Sequence, residues 1–347
     1  MSAKSTIEAR TFYAGGELEL IRRINEGGMS VVYEAFQYGA AGFTKRVAVK
    51  MLLRRLSENA NFMKMFVDEA KLVADLVHEN IVQIYHLGVM DDDTFYILME
   101  LVEGISMREF ILHHRVTGRR VPENLAVHLV SRVVRGLAYA HNARDREGRA
   151  LEVVHRDVCP GNILLAREGL TKLTDFGVAK AMTNTLNTRH WLTGKVPYMS
   201  PEQAACHESD YRSDIYSVGV VLFELLTGEG IRPLDADPRT QDFAAIPIPW
   251  EKLPEHTGSD LRGLMETMLD PDPDRRAHDT SALAVALEYY IYKDGYGPTV
   301  QTVKEYIQSS FPNLDFDRES GPASKTDLVE LDYRLDTSCV EIVPVTG

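Results

Sequence analysis

The chain has 347 residues, 44% hydrophobic and 26% charged, which fits one large or two modest globular domains. A formal net charge of -13 argues against a nucleic-acid binder, which needs an excess of Lys and Arg; it suits plain solubility, or basic peptides and cationic partners. Three cysteines (Cys159, Cys206, Cys339) without a CxxC pair make neither a disulfide framework nor a zinc site, so a reducing, cytoplasmic setting is expected. No run of about 18 apolar residues offers a membrane span, and the opening MSAKSTIEAR lacks the apolar stretch of a signal peptide.

Residues 1–16 are polar, end in Gly15-Gly16 and read as a flexible lead-in. Glu17–Ile24 and Val31–Phe36 alternate as two antiparallel strands around the turn Asn25–Ser30. Val47-Ala48-Val49-Lys50 is a short buried-strand pattern that ends in a lysine. Phe62–Val77 carries apolar residues at helical spacing, with Glu69 inside it, nineteen residues after Lys50. Phe95–Val102 is a buried strand running into Glu103-Gly104, and Met107–His114 and Pro122–His141 are helical by period. Asn142–Leu151 is a polar surface loop.

The stretch Val153–Leu165, VVHRDVCPGNILL, organises the chain. It reads as a strand (Val153-Val154), a polar loop and a second strand (Ile163–Leu165), an arrangement that fixes loop side chains rigidly. Asp157 and Asn162 lie five residues apart on the loop, and Asp175-Phe176-Gly177 begins thirteen residues after Asn162. A hydroxyl-rich segment follows (Thr183, Thr185, Thr188, Thr193), closed by Tyr198-Met199-Ser200-Pro201-Glu202. Ser213–Thr227 is a long apolar helix. Residues 281–311 are two helical segments around a Gly-Tyr-Gly-Pro break, and Leu328–Val345 alternates weakly.

His155-Arg156-Asp157 with Asn162, then Asp175-Phe176-Gly177, resembles the catalytic loop and metal motif of the eukaryotic-like protein kinases, and the whole set is most similar to bacterial serine/threonine kinases. The resemblance implies an α+β, bilobal protein-kinase fold with a small β-rich N-lobe and a larger, mainly α-helical C-lobe. The lobes would span 17–102 and 103–295, with a helical extension and tail over 296–347. It implies ATP and Mg²⁺ as cofactors, with Lys50 on the α- and β-phosphates, Glu69 paired to Lys50, Asp157 as the base, and Asn162 and Asp175 on the metal. Asn25, Gly27 and Val32 fall in the phosphate lid. Val32, Ala48 and Leu164 would sandwich the adenine, Met99 would close its pocket, and the backbone of Glu100–Val102 would read its edge. His155 and Phe176 would stack, Asp214 would steady the loop, and Arg276 would pair with Glu202. Protein substrates are the implied partners, with a homodimer as one route to trans-autophosphorylation on Thr188 or Thr193, where Arg156 supplies a cation.

The chain departs from the family in three places. Asn25 and Ser30 stand where the lid has its first and third glycines. Cys159 replaces the lysine that follows the catalytic aspartate by two positions in serine/threonine kinases, and Lys195 stands where a threonine is usual. One reading is a swap, in which Lys195 restores the missing cation. The other is an ATP-binding pseudokinase scaffold. Cys159 reads either as a small filler or as a reactive thiol.

Overall fold

The computed structural model describes residues 11–13, 17–27, 29–53, 56, 59–90, 94–176 and 195–312; the side chains of residues 11–13, Glu17, Met65 and Glu69 lie outside that description. Strands β1 (Thr11–Tyr13), β2 (Glu17–Glu26), β3 (Ser30–Tyr38), β4 (Thr44–Leu52), β5 (Ile84–Val89) and β6 (Phe95–Met99) form one antiparallel sheet in the order β1-β2-β3-β4-β6-β5. Within the segment read as a lead-in, Thr11–Tyr13 is therefore a strand, paired in register with Glu17–Glu19.

Side chains alternate across a strand, so β4 sorts its residues by parity. Val47, Val49 and Met51 join Leu18, Leu20, Ala35, Tyr96 and Leu98 on one face. Ala48 and Leu52 join Phe66, Ala70, Val82, Ile97 and Met99 on the other. Phe66 and Ala70 come from helix α1 (Ala60–Val73), capped by the Asn59 side chain, which covers this second face. Lys50 shares the parity of Ala48, and so is delivered to the face that Ala48, Leu52 and Met99 line.

The larger lobe is built on helices α2 (Met107–Thr117), α3 (Glu123–His141) and α5 (Tyr211–Thr227), with the single turn α4 (Pro201–Ala204) before α5. Ser213 through Leu226 of α5 are all buried. A helix apolar on every side has to be enclosed by the rest of the lobe; α3 packs beside it, with α6 (Ser259–Met268) and α7 (Thr280–Tyr292) outside.

A small sheet of β7 (Gly104–Ser106), β8 (Ile163–Ala166) and β9 (Thr171–Leu173) runs in that order. The strand expected at Val153-Val154 does not form. Both edges of β8 are taken by β7 and β9, and Val153-Val154 is a buried connector instead. Gly104 is required where β7 meets β8, since a Cβ there would lie 2.0 Å from the Leu165 carbonyl oxygen.

Helix α8 (Val300–Ser310) buries Val303 and Ile307. Its Tyr306 hydroxyl meets His114 Nε2 of α2 at 2.8 Å. At its first turn, a Cβ on Gly169 would sit 2.0 Å from the Val300 carbonyl oxygen. The segment read as an extension thus opens with a helix packed on the larger lobe. Leu328–Val345 lies outside the described residues. Among the described residues no helix is long and apolar enough to cross a membrane.

Candidate active site

The polar loop after Val154 is hung from α5. Asp214, fully buried, accepts the backbone N–H of His155 through Oδ2 at 2.8 Å and that of Arg156 through Oδ1 at 2.7 Å, and His141 Nε2 donates to Oδ2 at 3.0 Å. These bonds hold Arg156 at φ 62, a left-handed conformation that costs a non-glycine residue about 1–3 kcal/mol. His155 is locked in one tautomer: Nε2–H donates to the Thr174 carbonyl at 2.9 Å, and Nδ1 accepts the Asp157 N–H at 3.2 Å. Burial keeps this imidazole neutral, well below its usual range. Its ring centroid lies 4.4 Å from that of Phe176, but the planes are inclined by 48°, so the two pack in a tilted contact and not in the stack that was expected.

Asp157 emerges from this frame. Asn162 Nδ2 donates at 2.8 Å both to the Asp157 carbonyl and to its Oδ2. The Lys195 ammonium donates to the same Oδ2. Burial alone would lower the Lys195 pKa, but Asp157, then Cys159 and Asp175, outweigh it and the ammonium is held charged. Cys159 is 4% exposed and contributes no cation. Burial, then the negative charge of Asp157, pushes its thiol up to about 12. Of its two readings, the filler is the one that fits.

Beside β4, Lys50 Nζ donates to Asp175 Oδ1 at 2.9 Å. Burial would raise the Asp175 pKa, but Lys50 and then Lys195 hold it below the ordinary carboxylate range. Asp175 has φ 63, a second strained residue at the same place. Glu69 lies on α1, and its pairing falls outside the described residues, as do Thr183, Thr185, Thr188 and Thr193. Ala48 and Met99, with Val32, Leu101, Val102 and Leu164 packed around them, line one apolar slot. Behind Met99, a cavity of about 20 Å³ opens between Lys50, Val82, Ile97 and Phe176. Where β2 turns into β3, Asn25 pairs with Val32, and the Gly27 N–H donates to Ser30 O at 2.8 Å.

Asn162 spends its amide nitrogen on Asp157, which leaves its oxygen as the atom suited to a cation. That oxygen and the Asp175 carboxylate make a hard, two-residue donor set. Mg²⁺, which prefers one or two protein oxygens together with phosphates and waters, fits such a set.

Several residues of the frame were not singled out from sequence. The Tyr198 hydroxyl donates to Glu224 Oε2 at 2.6 Å, and Arg115 Nη2 reaches Glu224 Oε1 at 3.1 Å. Gln203 Nε2 donates to the Arg156 carbonyl at 3.0 Å and completes a capping box with Ser200. The S-x-x-Q spacing was a readable signal for it. Buried Arg232 donates to the carbonyls of Pro197 (3.0 Å) and Met199 (2.7 Å), clamping the segment that carries Lys195. The Glu202–Arg276 pair forms as expected, at 2.6 and 2.7 Å, with Ser213 Oγ donating to Glu202 as well.

A two-lobed fold with these side chains converging at the lobe junction defines a protein kinase, and the protein kinase domain model matches residues 18–287. The chain belongs to that family. MasK of Myxococcus xanthus, named a tyrosine-protein kinase, is 34% identical over 316 residues, 88% of this chain and 48% of the relative. PrkC of Bacillus subtilis, a serine/threonine-protein kinase, is 39% identical over 214 residues, 61% of this chain and 31% of the relative. The chain thus spans a third to a half of these curated relatives. The crystal structure of the Mycobacterium tuberculosis PknI kinase domain superposes with a TM-score of 0.61 at 23% identity, covering 82% of this chain and 99% of that domain, and shares the fold.

Proposed function

We propose that the chain is an ATP- and Mg²⁺-dependent protein kinase of bacterial signalling that phosphorylates serine and threonine hydroxyls of protein substrates, its own Thr188 or Thr193 among them. The observation that carries this is the convergence of Lys50, Asp157, Asn162 and Asp175 from β4, the polar loop and the end of β9. Phosphoryl transfer asks little covalent work of a protein; it needs in-line oxygens and neutralised charge.

In this reading a substrate hydroxyl oxygen attacks the γ-phosphorus, the bond to the bridging oxygen breaks, ADP leaves, and Asp157 takes the hydroxyl proton. Asn162 holds the Asp157 carboxylate in place, so positioning contributes more than basicity. Lys50 orients the α- and β-phosphates, and Glu69 holds Lys50. Asn162 and Asp175 would hold the metal, which when bound would supply positive charge against the developing negative charge. Lys195 supplies the cation that Cys159 lacks, at Asp157 Oδ2. Val32, Ala48 and Leu164 enclose the adenine, Asn25 and Gly27 belong to the lid, and the backbone of Glu100–Val102 reads the base beside Met99. Pro160-Gly161 in the loop supports serine and threonine over tyrosine as acceptors. Retention of all five polar side chains argues against a pseudokinase scaffold.

The test is transfer from ATP to a generic basic peptide series bearing Ser, Thr or Tyr acceptors, with Mg²⁺ and after chelation. Metal-dependent transfer to Ser and Thr supports the reading. Transfer to Tyr alone overturns the acceptor class, and nucleotide binding without any transfer favours the scaffold.

A further inference from the structure

The connection between the lobes carries two carboxylates, Glu100 and Glu103, one on each side of Leu101-Val102. Each is bonded to both lobes. Glu103 Oε1 accepts from Arg46 Nη1 of β4 at 2.6 Å, and its Oε2 lies 3.3 Å from Arg167 Nη1 on the β8–β9 turn. The Arg167 N–H also donates to the Glu103 carbonyl at 2.8 Å. Glu100 Oε2 accepts from Lys172 Nζ of β9 at 3.0 Å and from the Gln83 N–H, just before β5, at 3.2 Å. The network continues into the smaller lobe. Arg46 Nε donates to buried Glu34 at 2.8 Å, and Arg22 Nε donates to the other Glu34 oxygen at 2.7 Å.

A chain of alternating charges, Arg22–Glu34–Arg46–Glu103–Arg167, therefore crosses from one lobe to the other beside the backbone that faces the adenine slot. Lys172–Glu100 makes a second crossing on the other side. Two crossings fix both the position and the twist of the dipeptide between them, whereas one would leave it free to swivel. Gly104, pressed against the Leu165 carbonyl, lets the backbone run close enough for both to form.

We propose that Glu103 and Lys172, with their partners Arg46, Arg167 and Glu100, are positioning residues that hold the Leu101-Val102 backbone in register for the base. Nucleotide affinity then depends on ion pairs that touch neither the base nor the phosphates. This rests on the kinase reading above. The Glu103 side chain is 26% exposed and its two arginine partners 35–36%. Such pairs are partly screened, and their effect on affinity is severalfold, not absolute.

The probe is adenosine, which lacks phosphates and so reports on the base alone. Its Kd is measured by calorimetry on the full chain, with ATP in parallel. Glu103→Gln and Lys172→Gln are each expected to weaken adenosine by about fivefold, and ATP by the same factor, since about 1 kcal/mol is at stake in each crossing. Lys172→Arg is expected to stay near the parent. Raising salt from about 0.05 to about 0.5 M should weaken adenosine on the parent by a few fold and by a smaller factor on Glu103→Gln, which keeps only the Lys172–Glu100 crossing. In turnover, Glu103→Gln should raise KM for ATP with kcat within about twofold, a split that a loss of folded protein would not give. Parent-like adenosine affinity in both glutamine variants overturns the proposal while leaving the kinase reading standing. A parent that binds neither adenosine nor ATP overturns the kinase reading and this proposal together.

Discussion

At the scale of single residues, the site turns on which cation stands beside Asp157. Removing Lys195 leaves a carboxylate with one amide donor and no compensating charge. Lys195→Ala is expected to lower kcat/KM by about 10²-fold, the magnitude of one lost transition-state donor. Cys159→Lys in that background should recover part of it; a Lys195→Ala enzyme as fast as the parent would show that the ammonium has no part in turnover. The Cys159 thiol, buried and pushed up to about 12, should resist iodoacetamide at neutral pH in the folded protein, while exposed Cys206 is labelled; mass spectrometry of the digested adduct decides. Most of these residues could be read from sequence because phosphoryl transfer needs particular side chains at fixed spacing. The Lys195–Asp157 contact could only be offered as one of two readings. It depends on how the segment after residue 194 folds back, and a spacing of 38 residues carries no such information. Arg232 was illegible for the same reason: it acts on backbone carbonyls, which have no signature of their own. The capping-box spacing of Ser200 and Gln203 could be read, but not the reach of Gln203 to the Arg156 carbonyl.

At the scale of elements, α5 and the closing Pro-Glu turn anchor the site. Arg276 is fully buried and its guanidinium spans both Glu202 oxygens. Taking away one partner leaves an uncompensated buried charge, so Arg276→Met should cost about 3–5 kcal/mol in chemical denaturation. Burial raises the Glu202 pKa, but Arg276 and Ser213 outweigh it and hold the group at about 2. A carboxyl depressed in the folded state contributes stability that is present above its unfolded pKa and lost as pH falls through the folded one. The loss should therefore run from about pH 4.5 down to about 2, and after a discount for solvent screening amounts to roughly 2 kcal/mol. His155 acts in the same direction, because burial keeps it neutral and acid favours the unfolded, protonated form. Denaturation midpoints of the parent and Arg276→Met across that range would show the difference, and parallel curves would contradict it. The helices and strands were largely legible, since period-2 and period-3.6 patterns set them. Val153-Val154 misled because β-branched composition records burial as well as pairing, and only the topology shows that both edges of β8 are occupied.

At the scale of the whole molecule, the two-lobed fold followed from ordered motifs spread over most of the chain. The boundary near residue 295 was less apparent. A motif-based reading stops where chemistry stops, yet packing continues: α8 inserts Val303 and Ile307 against the larger lobe beside α2. Ile307→Ala should destabilise the protein by about 2–4 kcal/mol, read by thermal or denaturant unfolding, where an extension making no contribution would leave the midpoint unchanged. Acceptor class and substrate are properties of surfaces, and the catalytic motifs encode them weakly.

The most direct measurement is to incubate the purified chain and its Asp157→Asn variant with Mg²⁺ and ATP and to map phosphate by mass spectrometry. Phosphate on threonines within residues 183–193 of the parent, with a loss of at least about 10²-fold in the variant, is the expected result. Equal phosphate on both proteins would contradict the role given to Asp157. A parent that binds ATP and stays unphosphorylated, and that transfers nothing to the basic peptides, would contradict the kinase reading.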